Sequence, residues 1–172
     1  MSDAAAIADY LKRNRTFHRP TEPIRTKEHY TELYWRRAIR VIRREFQRDI
    51  SVKLILCLQG DPNRVIGIVN FSQIFRGPFQ ACFLGYALDK QHEGKGLMTE
   101  ALRLAVDYMF MKRNLHRVMA NYMPRNAKSA RVLKMLGFQI DGSAKAYLLI
   151  NGKWEDHVMT SLVNRNWQSL KK

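Results

Sequence analysis

Between an apolar run ending at Leu88 and an amphipathic run starting at Leu97 the chain reads "DKQHEGKG", within the longer stretch "FLGYALDKQHEGKGLMTEAL". Gly94 and Gly96 carry no β-carbon, so another molecule can approach the main chain closely at two alternating positions. Where such a loop opens a helix, backbone N–H groups converge on an anion and the helix dipole adds to the attraction. A phosphate is the natural guest. Spacing excludes two nucleotide-binding patterns: a P-loop needs four residues between its first glycine and Gly-Lys-Ser/Thr, and the dinucleotide fingerprint needs a third glycine. An ordinary tight turn uses glycines in the same way, so the loop alone leaves both readings open.

The elements around the loop follow from periodicity. Ser2 to Arg13 is expected to be helical, and Pro20 and Pro23 in "HRPTEPIR" then interrupt the backbone. Tyr34, Trp35, Ala38, Ile39, Val41, Ile42 and Phe46 recur at helical spacing, predicting a long amphipathic helix from Lys27 to about Arg48. Its other face carries Arg36, Arg37, Arg40, Arg43, Arg44 and Arg48: a solvated face, or a docking stripe for RNA phosphates. Residues 51–58, 64–75 and 80–88 read as a three-strand meander, and a helix from about Lys95 to Lys112 leads to a strand at 116–122. Strand, loop, helix and strand in that order make 80–88 and 116–122 parallel neighbours. "NAKSARVLKMLGF" predicts a short helix with Asn126 as N-cap and Gly137 at its left-handed end. Asn151-Gly152 sits at the tip of a closing hairpin. With no internal repeat or linker, the expectation is a single mixed α/β domain over residues 1–172.

Composition narrows the partners. A formal charge of +15 attracts nucleic acid, anionic membrane, acidic protein or phosphorylated ligands, and repels small polycations. Cys57 and Cys82 both lie in strand-like apolar runs without metal-site or disulfide-framework spacing, so they read as free core thiols and no metal is expected. The N-terminus lacks a basic start followed by a sustained apolar core, and no run approaches the ~20 apolar residues that span a bilayer. A cytoplasmic protein is the expectation.

Taken with its surroundings, the Gln91-x-x-Gly94-x-Gly96 loop resembles the acetyl-CoA-binding core of GNAT-type N-acetyltransferases. The following strand and the asparagine-and-serine helix ending in Gly-Phe match the same core over His116 to Phe138. "VNFSQIFRG", "GYALDKQHEGKGLMTEAL", "HRVMANYMP" and "YLLINGKWEDHV" extend the likeness to the RimJ/RimL subfamily of ribosomal-protein N-terminal acetyltransferases, from the first helix to the hairpin. That subfamily usually opens with a strand bearing a Leu-x-x-x-x-Leu-x-Leu-Arg pattern; here the chain starts almost directly in the next helix. The fold implied is a mixed, mostly antiparallel sheet with a central parallel pair splayed at the acetyl-CoA site and about four flanking helices, the first strand missing.

The resemblance also implies a site. Pantetheine would pair with backbone at Tyr86, Ala87 and Leu88, and the pyrophosphate would take amides from about Glu93, Gly94, Lys95, Gly96 and Leu97, with Lys95 and Arg131 adding charge. Asn121 and Asn126 match positions that face the cofactor, and Ser129 matches the hydroxyl that protonates the departing thiolate. Asn126 and Ser129 equally suit ordinary capping duty, and Tyr86, Tyr122 and Tyr147 suit the core, although a phenol near the thiolate would be an alternative acid. The subfamily's glutamate base aligns with Leu148 and a neighbouring acidic position with Ala146, so deprotonation falls to a water chain or to Asp156 or His157. An N-terminal α-amine needs only a modest base, since its pKa of about 7.7–8.0 lies well below the roughly 10.4 of lysine.

The expected reaction is direct transfer of acetyl to the N-terminal alanine amine of a ribosomal protein, with ribosomal RNA as a contact for helix 27–48. A non-catalytic RNA-associated module of the same fold and an acetyltransferase of a small-molecule amine are the alternatives.

Overall fold

The structure is a computed structural model describing residues 2–168; Met1 and residues 169–172 of the expected domain lie outside the described part. Helix α1 spans Asp3–His18, with Ser2 as its N-cap. It runs five residues beyond the expected end at Arg13. The buried face of Ile7, Tyr10 and Leu11 continues at helical spacing through two polar side chains, Asn14 and His18, which hydropathy does not mark as interior.

The helix expected from Lys27 to Arg48 is broken. Lys27–Tyr30 forms a 3-10 turn, Thr31 is extended, and the Thr31 hydroxyl accepts the N–H of Tyr34 (3.3 Å) to start α2, Glu32–Gln47. Its expected apolar face is only partly covered: Trp35 is buried and Ala38, Ile39 and Ile42 pack alongside, but Tyr34, Val41 and Phe46 are exposed. α2 rests on the flank of α1 and on the sheet's first strand, so only a narrow stripe of it is hidden.

Strands β1 (Val52–Leu58), β2 (Asp61–Phe75) and β3 (Ala81–Leu88) form the expected antiparallel meander. Helix α3 (Leu97–Met111) leads from β3 to β4 (Arg117–Tyr122), which pairs with β3 in parallel. Helix α4 (Ala127–Met135) precedes β5 (Gln139–Ile150) and β6 (Lys153–Val163). The sheet order is β1-β2-β3-β4-β6-β5, so the closing hairpin folds its second strand against β4. Asn151 and Gly152 at its tip both have positive φ, as a tight two-residue hairpin turn requires.

Alternation along the strands separates two faces. Cys82, Leu84, Tyr86 and Leu88 of β3 and Val118, Ala120 and Tyr122 of β4 pack with α3 and α4 around Leu102, Met109 and Leu133. Phe83, Gly85, Ala87 and Asn121 occupy the alternate positions and face the side on which α1 and α2 form a second cluster around Tyr10 and Trp35. Among the described residues no helix is long and apolar enough to cross a membrane.

Candidate active site

The two central strands part company. Parallel pairing of β3 with β4 covers only Ala81, Cys82 and Phe83 against Arg117, Val118 and Met119. Beyond it β3 stays paired with β2 as far as Leu88, and β4 with β6 as far as Tyr122. The facing edges of residues 84–88 and 120–122 therefore diverge, with main-chain groups directed into the gap. Unpaired backbone in a sheet interior is unfavourable unless something else pairs with it, so the wedge is a slot for an extended, amide-bearing molecule.

At the mouth of the wedge lies the glycine loop. Gly94 and Gly96 have φ of 75° and 77°, in the left-handed region, and a β-carbon built on either would meet no atom within 4 Å. Gly96 is the N-cap of α3 and offers no side chain to the helix end. Among the described residues the N–H groups of Gly94, Lys95, Gly96, Leu97, Met98 and Thr99 find no protein acceptor; the first bond of the helix is Glu100 N–H to Gly96 O (3.1 Å). The run of open donors starts one residue later than the expected Glu93, whose N–H is directed to Lys90 O (3.5 Å), and continues two residues past Leu97. The Glu93 carboxylate pairs with Lys128 of α4, and Gln91 accepts from Arg64 (3.3 Å), so neither side chain is a phosphate ligand here. Lys95 and Arg131 are exposed and carry no ion pair among the described residues. Six open amides, two exposed cations and the helix dipole make a cradle for a diphosphate.

Below the wedge, on the α3–α4 side, Tyr86 Oη lies 2.7 Å from Ser129 Oγ and also reaches Ser129 O (3.3 Å). Asn126 is the N-cap of α4, its side chain accepting the Ser129 N–H (3.1 Å). Capping and the hydroxyl pair are therefore one construction: the cap fixes Ser129, and Ser129 fixes the phenol. Burial pushes the Tyr86 phenol up to about 12, against the smaller opposing effect of its bond to Ser129. Tyr86 keeps its proton throughout the working pH range.

On the other face Asn121 Nδ2 donates to Tyr147 Oη (3.3 Å), and the Tyr147 and His157 rings lie 5.5 Å apart. His157 is buried, and its Nδ1 is 3.0 Å from Glu155 O. A carbonyl only accepts, so Nδ1 carries a proton, and Nε2 is the ring nitrogen left free of that bond. Asp156 makes a structural hydrogen bond. Its Oδ1 accepts the N–H of Ala146 (2.8 Å), a residue at φ 47° in the irregular middle of β5, and as the neighbour of His157 in β6 it points to the opposite face. That carboxylate is occupied in holding the β5 irregularity. The thiols are equally unavailable: Cys82 is buried and pushed up to about 12 by that burial, and burial raises the half-buried Cys57 as well.

Two features of the site carry no local sequence signal. Asp89, at the end of β3, is buried and accepts from the Gln91 N–H (3.0 Å), Asn14 Nδ2 (3.2 Å) and Arg13, while Asn14 Oδ1 accepts the Lys90 N–H (3.1 Å). Burial alone would raise the Asp89 carboxyl, but those three donors outweigh it and hold it below the usual carboxylate range. α1 thereby fixes the first residues of the loop. The second is Gly85, exposed although it lies in a central strand, with open space above it. The sheet is uncovered there on the Asn121 face, which leaves room for a second reactant opposite α4. Among the described residues no group of three or more His, Cys, Asp or Glu is arranged to hold a metal ion.

Comparison with known proteins agrees with this geometry. Residues 1–139 match the acetyltransferase (GNAT) domain family. The chain is 44% identical over 165 residues to the [ribosomal protein uS5]-alanine N-acetyltransferase of Escherichia coli (strain K12), covering 96% of this chain and 84% of that one. Its fold superposes with a TM-score of 0.94 on the crystal structure of ribosomal-protein-S5-alanine acetyltransferase from Vibrio fischeri, at 41% identity over 97% of this chain and 91% of the other. Mycobacterium smegmatis RimJ in complex with CoA-disulfide gives a TM-score of 0.86 at 26% identity, over 94% of this chain and 77% of that one.

Proposed function

This chain belongs to the GNAT acetyltransferase family, and on that premise we propose that it acetylates the N-terminal α-amine of a ribosomal protein whose first residue is alanine, with acetyl-CoA as donor. The observation that carries the reading is the wedge between β3 and β4 ending in the open amides of Gly94 to Thr99. A slot for an amide-bearing arm leads into a cradle for a diphosphate, and CoA has both parts in that order.

The residues present fit that group. Backbone at Tyr86, Ala87 and Leu88 would pair with the pantetheine amides, the Gly94–Thr99 amides with Lys95 and Arg131 would hold the pyrophosphate, and Asn121, Asn126 and Ser129 border the wedge. Bound there, acetyl-CoA supplies an activated acetyl thioester. Tyr86 and Ser129 hold a proton between their oxygens on the α4 side, where a departing sulfur needs a hydrogen-bond donor. With a pKa of about 12 the phenol does not ionise, so Tyr86 donates its hydrogen bond to Ser129 Oγ and the Ser129 hydroxyl donates to the departing sulfur, which leaves as a thiolate stabilised by that bond while the amine's proton goes to the opposite face. On the opposite face His157 Nε2 takes the amine's proton directly or through water, and Asn121 and Tyr147 orient what lies beside it. Buried or half-buried thiols of raised pKa leave direct attack of the amine as the course, without an acyl-enzyme.

Charge favours a macromolecular acceptor. A formal +15 opposes the approach of a polyamine or aminoglycoside, whereas a ribosomal protein comes with RNA that attracts it. Arg36, Arg37, Arg40, Arg43, Arg44 and Arg48 are all exposed on α2 and the turn after it, and among the described residues only Arg36 has a carboxylate partner, Glu32 (2.9 Å). They span roughly 18 Å of helix, and guanidinium groups suit phosphates. We assign ribosomal RNA to this stripe, and the cytoplasm as the place of action.

The test is a peptide assay. Acetyl-CoA with an Ala-initiated peptide should release one thiol per peptide, with the acetyl group on the α-amine in tandem mass spectrometry and no reaction when that amine is blocked. CoA binding with silence across N-terminal peptides would instead point to a non-catalytic module.

A further inference from the structure

The segment after α1 is strapped to the tip of the closing hairpin and to Arg125, which also pairs with Glu155 of β6. Arg19 Nε donates to Asn151 Oδ1 (3.2 Å) at the hairpin tip, Asn151 N–H donates to Glu22 O (3.0 Å), and Arg125, just after β4, reaches Pro20 O (3.4 Å). Beside this strap lies an open cavity of about 400 Å³, lined among others by Arg15, Arg19, Glu22, Ile24, Arg25 and Tyr30. That volume is within the usual range for ligand sites. It belongs to none of the groups placed in the transfer chemistry.

Its charge is lopsided. Among the described residues none of the three arginines has a carboxylate within ion-pair distance; Arg15 lies over the Tyr30 ring (4.7 Å to the centroid) and Arg19 is held by Asn151. The one carboxylate of the lining, Glu22, and the apolar Pro23, Ile24 and Tyr30 make the pocket a poor place for a polyphosphate. They suit a polypeptide: apolar walls for its backbone and a guanidinium rim for an acidic side chain.

We infer that this cavity receives the acceptor chain just behind its N-terminal residue and selects for acidic side chains there. The inference rests on the proposed N-terminal acetylation: the strap is held by Arg125, which pairs with Glu155, and Glu155 O holds His157, so the strap and its cavity are tied to the side of the site where the amine's proton would be taken. Arg25, at the rim and held by no side-chain hydrogen bond among the described residues, is the specificity-determining residue on which the proposal can be judged.

Two peptides decide it, Ala-Gly-Glu-Gly-Glu-Gly and Ala-Gly-Lys-Gly-Lys-Gly, assayed at saturating acetyl-CoA with the native enzyme, Arg25→Glu and Arg103→Glu. Arg103 is exposed on α3 and changes the net charge equally from elsewhere. The native enzyme should show a KM about threefold to tenfold lower for the glutamate peptide at similar kcat, as partly exposed ion pairs allow. Arg25→Glu should abolish or reverse that ratio, and Arg103→Glu should preserve it. An unchanged ratio in Arg25→Glu, or equal changes in both variants, overturns the proposal, since the second outcome belongs to the global field. Were no peptide acetylated, the acceptor reading would fall separately, and anisotropy of the labelled peptides would judge the cavity: preference for the glutamate peptide lost in Arg25→Glu supports it, and equal binding overturns it. A short RNA hairpin losing affinity in Arg25→Glu while the peptides do not would also overturn it.

Discussion

The residues of the site divide by what fixes them. Gly96 is fixed by conformation: at φ 77° a side chain is strained, and the space it would fill is where the open amides point. Gly96→Leu should therefore weaken CoA binding at least tenfold by calorimetry, while the strain itself costs only about 1–2 kcal/mol of stability. An unchanged affinity would remove the loop from the site. Tyr86 is fixed by burial and by Ser129, and its proton is secure up to about pH 12. The group that must lose a proton is the α-amine, with a free pKa of about 7.7–8.0, so kcat/KM should rise with pH through that range and then stay level to about pH 10. A fall between pH 8 and 10 would give the phenol or another group a different role. Tyr86→Phe should lower kcat about 10²-fold with little change in CoA affinity. The capping position of Asn126 and the two glycines ahead of α3 were legible in the sequence because each stands at a fixed offset from a helix start, whereas Ser129 was singled out only by the family resemblance. Gly85 was not: a glycine inside a strand reads as a weakness, and only the folded sheet shows that the space above it is open.

At the level of elements, α1 and the glycine loop are joined by contacts no local pattern announces. Asn14 and Asp89 lie 75 positions apart, and their bond carries the end of α1 onto the first turn of the loop. Asp89→Ala should cost about 3 kcal/mol, at the lower end for a broken buried ion pair because Arg13 is partly exposed. The pH dependence has a definite sign. The folded carboxyl is held below its unfolded value near 3.9, so its contribution is complete above that value and is lost as pH falls through the lower, folded pKa. Thermal melts of the native protein and Asp89→Asn should differ at pH 7, and the gap should start to close only below about pH 4 and vanish as pH falls past the lower, folded pKa; a gap that persists in stronger acid would assign it to packing. Strand and helix order was legible because periods of 2 and 3.6 and the turns at Gly77-Pro78 and Asn151-Gly152 are local signals. The break at Thr31 was not, since the apolar spacing runs on across Tyr34 and Trp35 and only the packing of α2 on α1 decides which of them is buried.

For the whole molecule, charge and the sheet's central gap act together. On the proposed function the positive field would draw an RNA-bound acceptor near, and the wedge would decide what happens to its amine. If the α2 stripe meets RNA, binding of a ribosomal RNA fragment should weaken with salt, and replacing Arg37, Arg40 and Arg44 by alanine should flatten the log–log slope by about 0.7–0.9 per lost phosphate contact while peptide acetylation is unchanged. A slope that does not move would return the stripe to solvent. The net charge and the arginine face of the second helix were plain from the sequence; that the face is left uncovered by the rest of the chain needed the fold. The most direct trial of the acetyl-transfer account is intact-mass spectrometry of unacetylated small-subunit ribosomal proteins after incubation with this enzyme and acetyl-CoA. One protein that begins with alanine should gain a single acetyl group, mapped to its α-amine and absent with Gly96→Leu; acetylation confined to lysine side chains, or none while CoA is demonstrably bound, would contradict it.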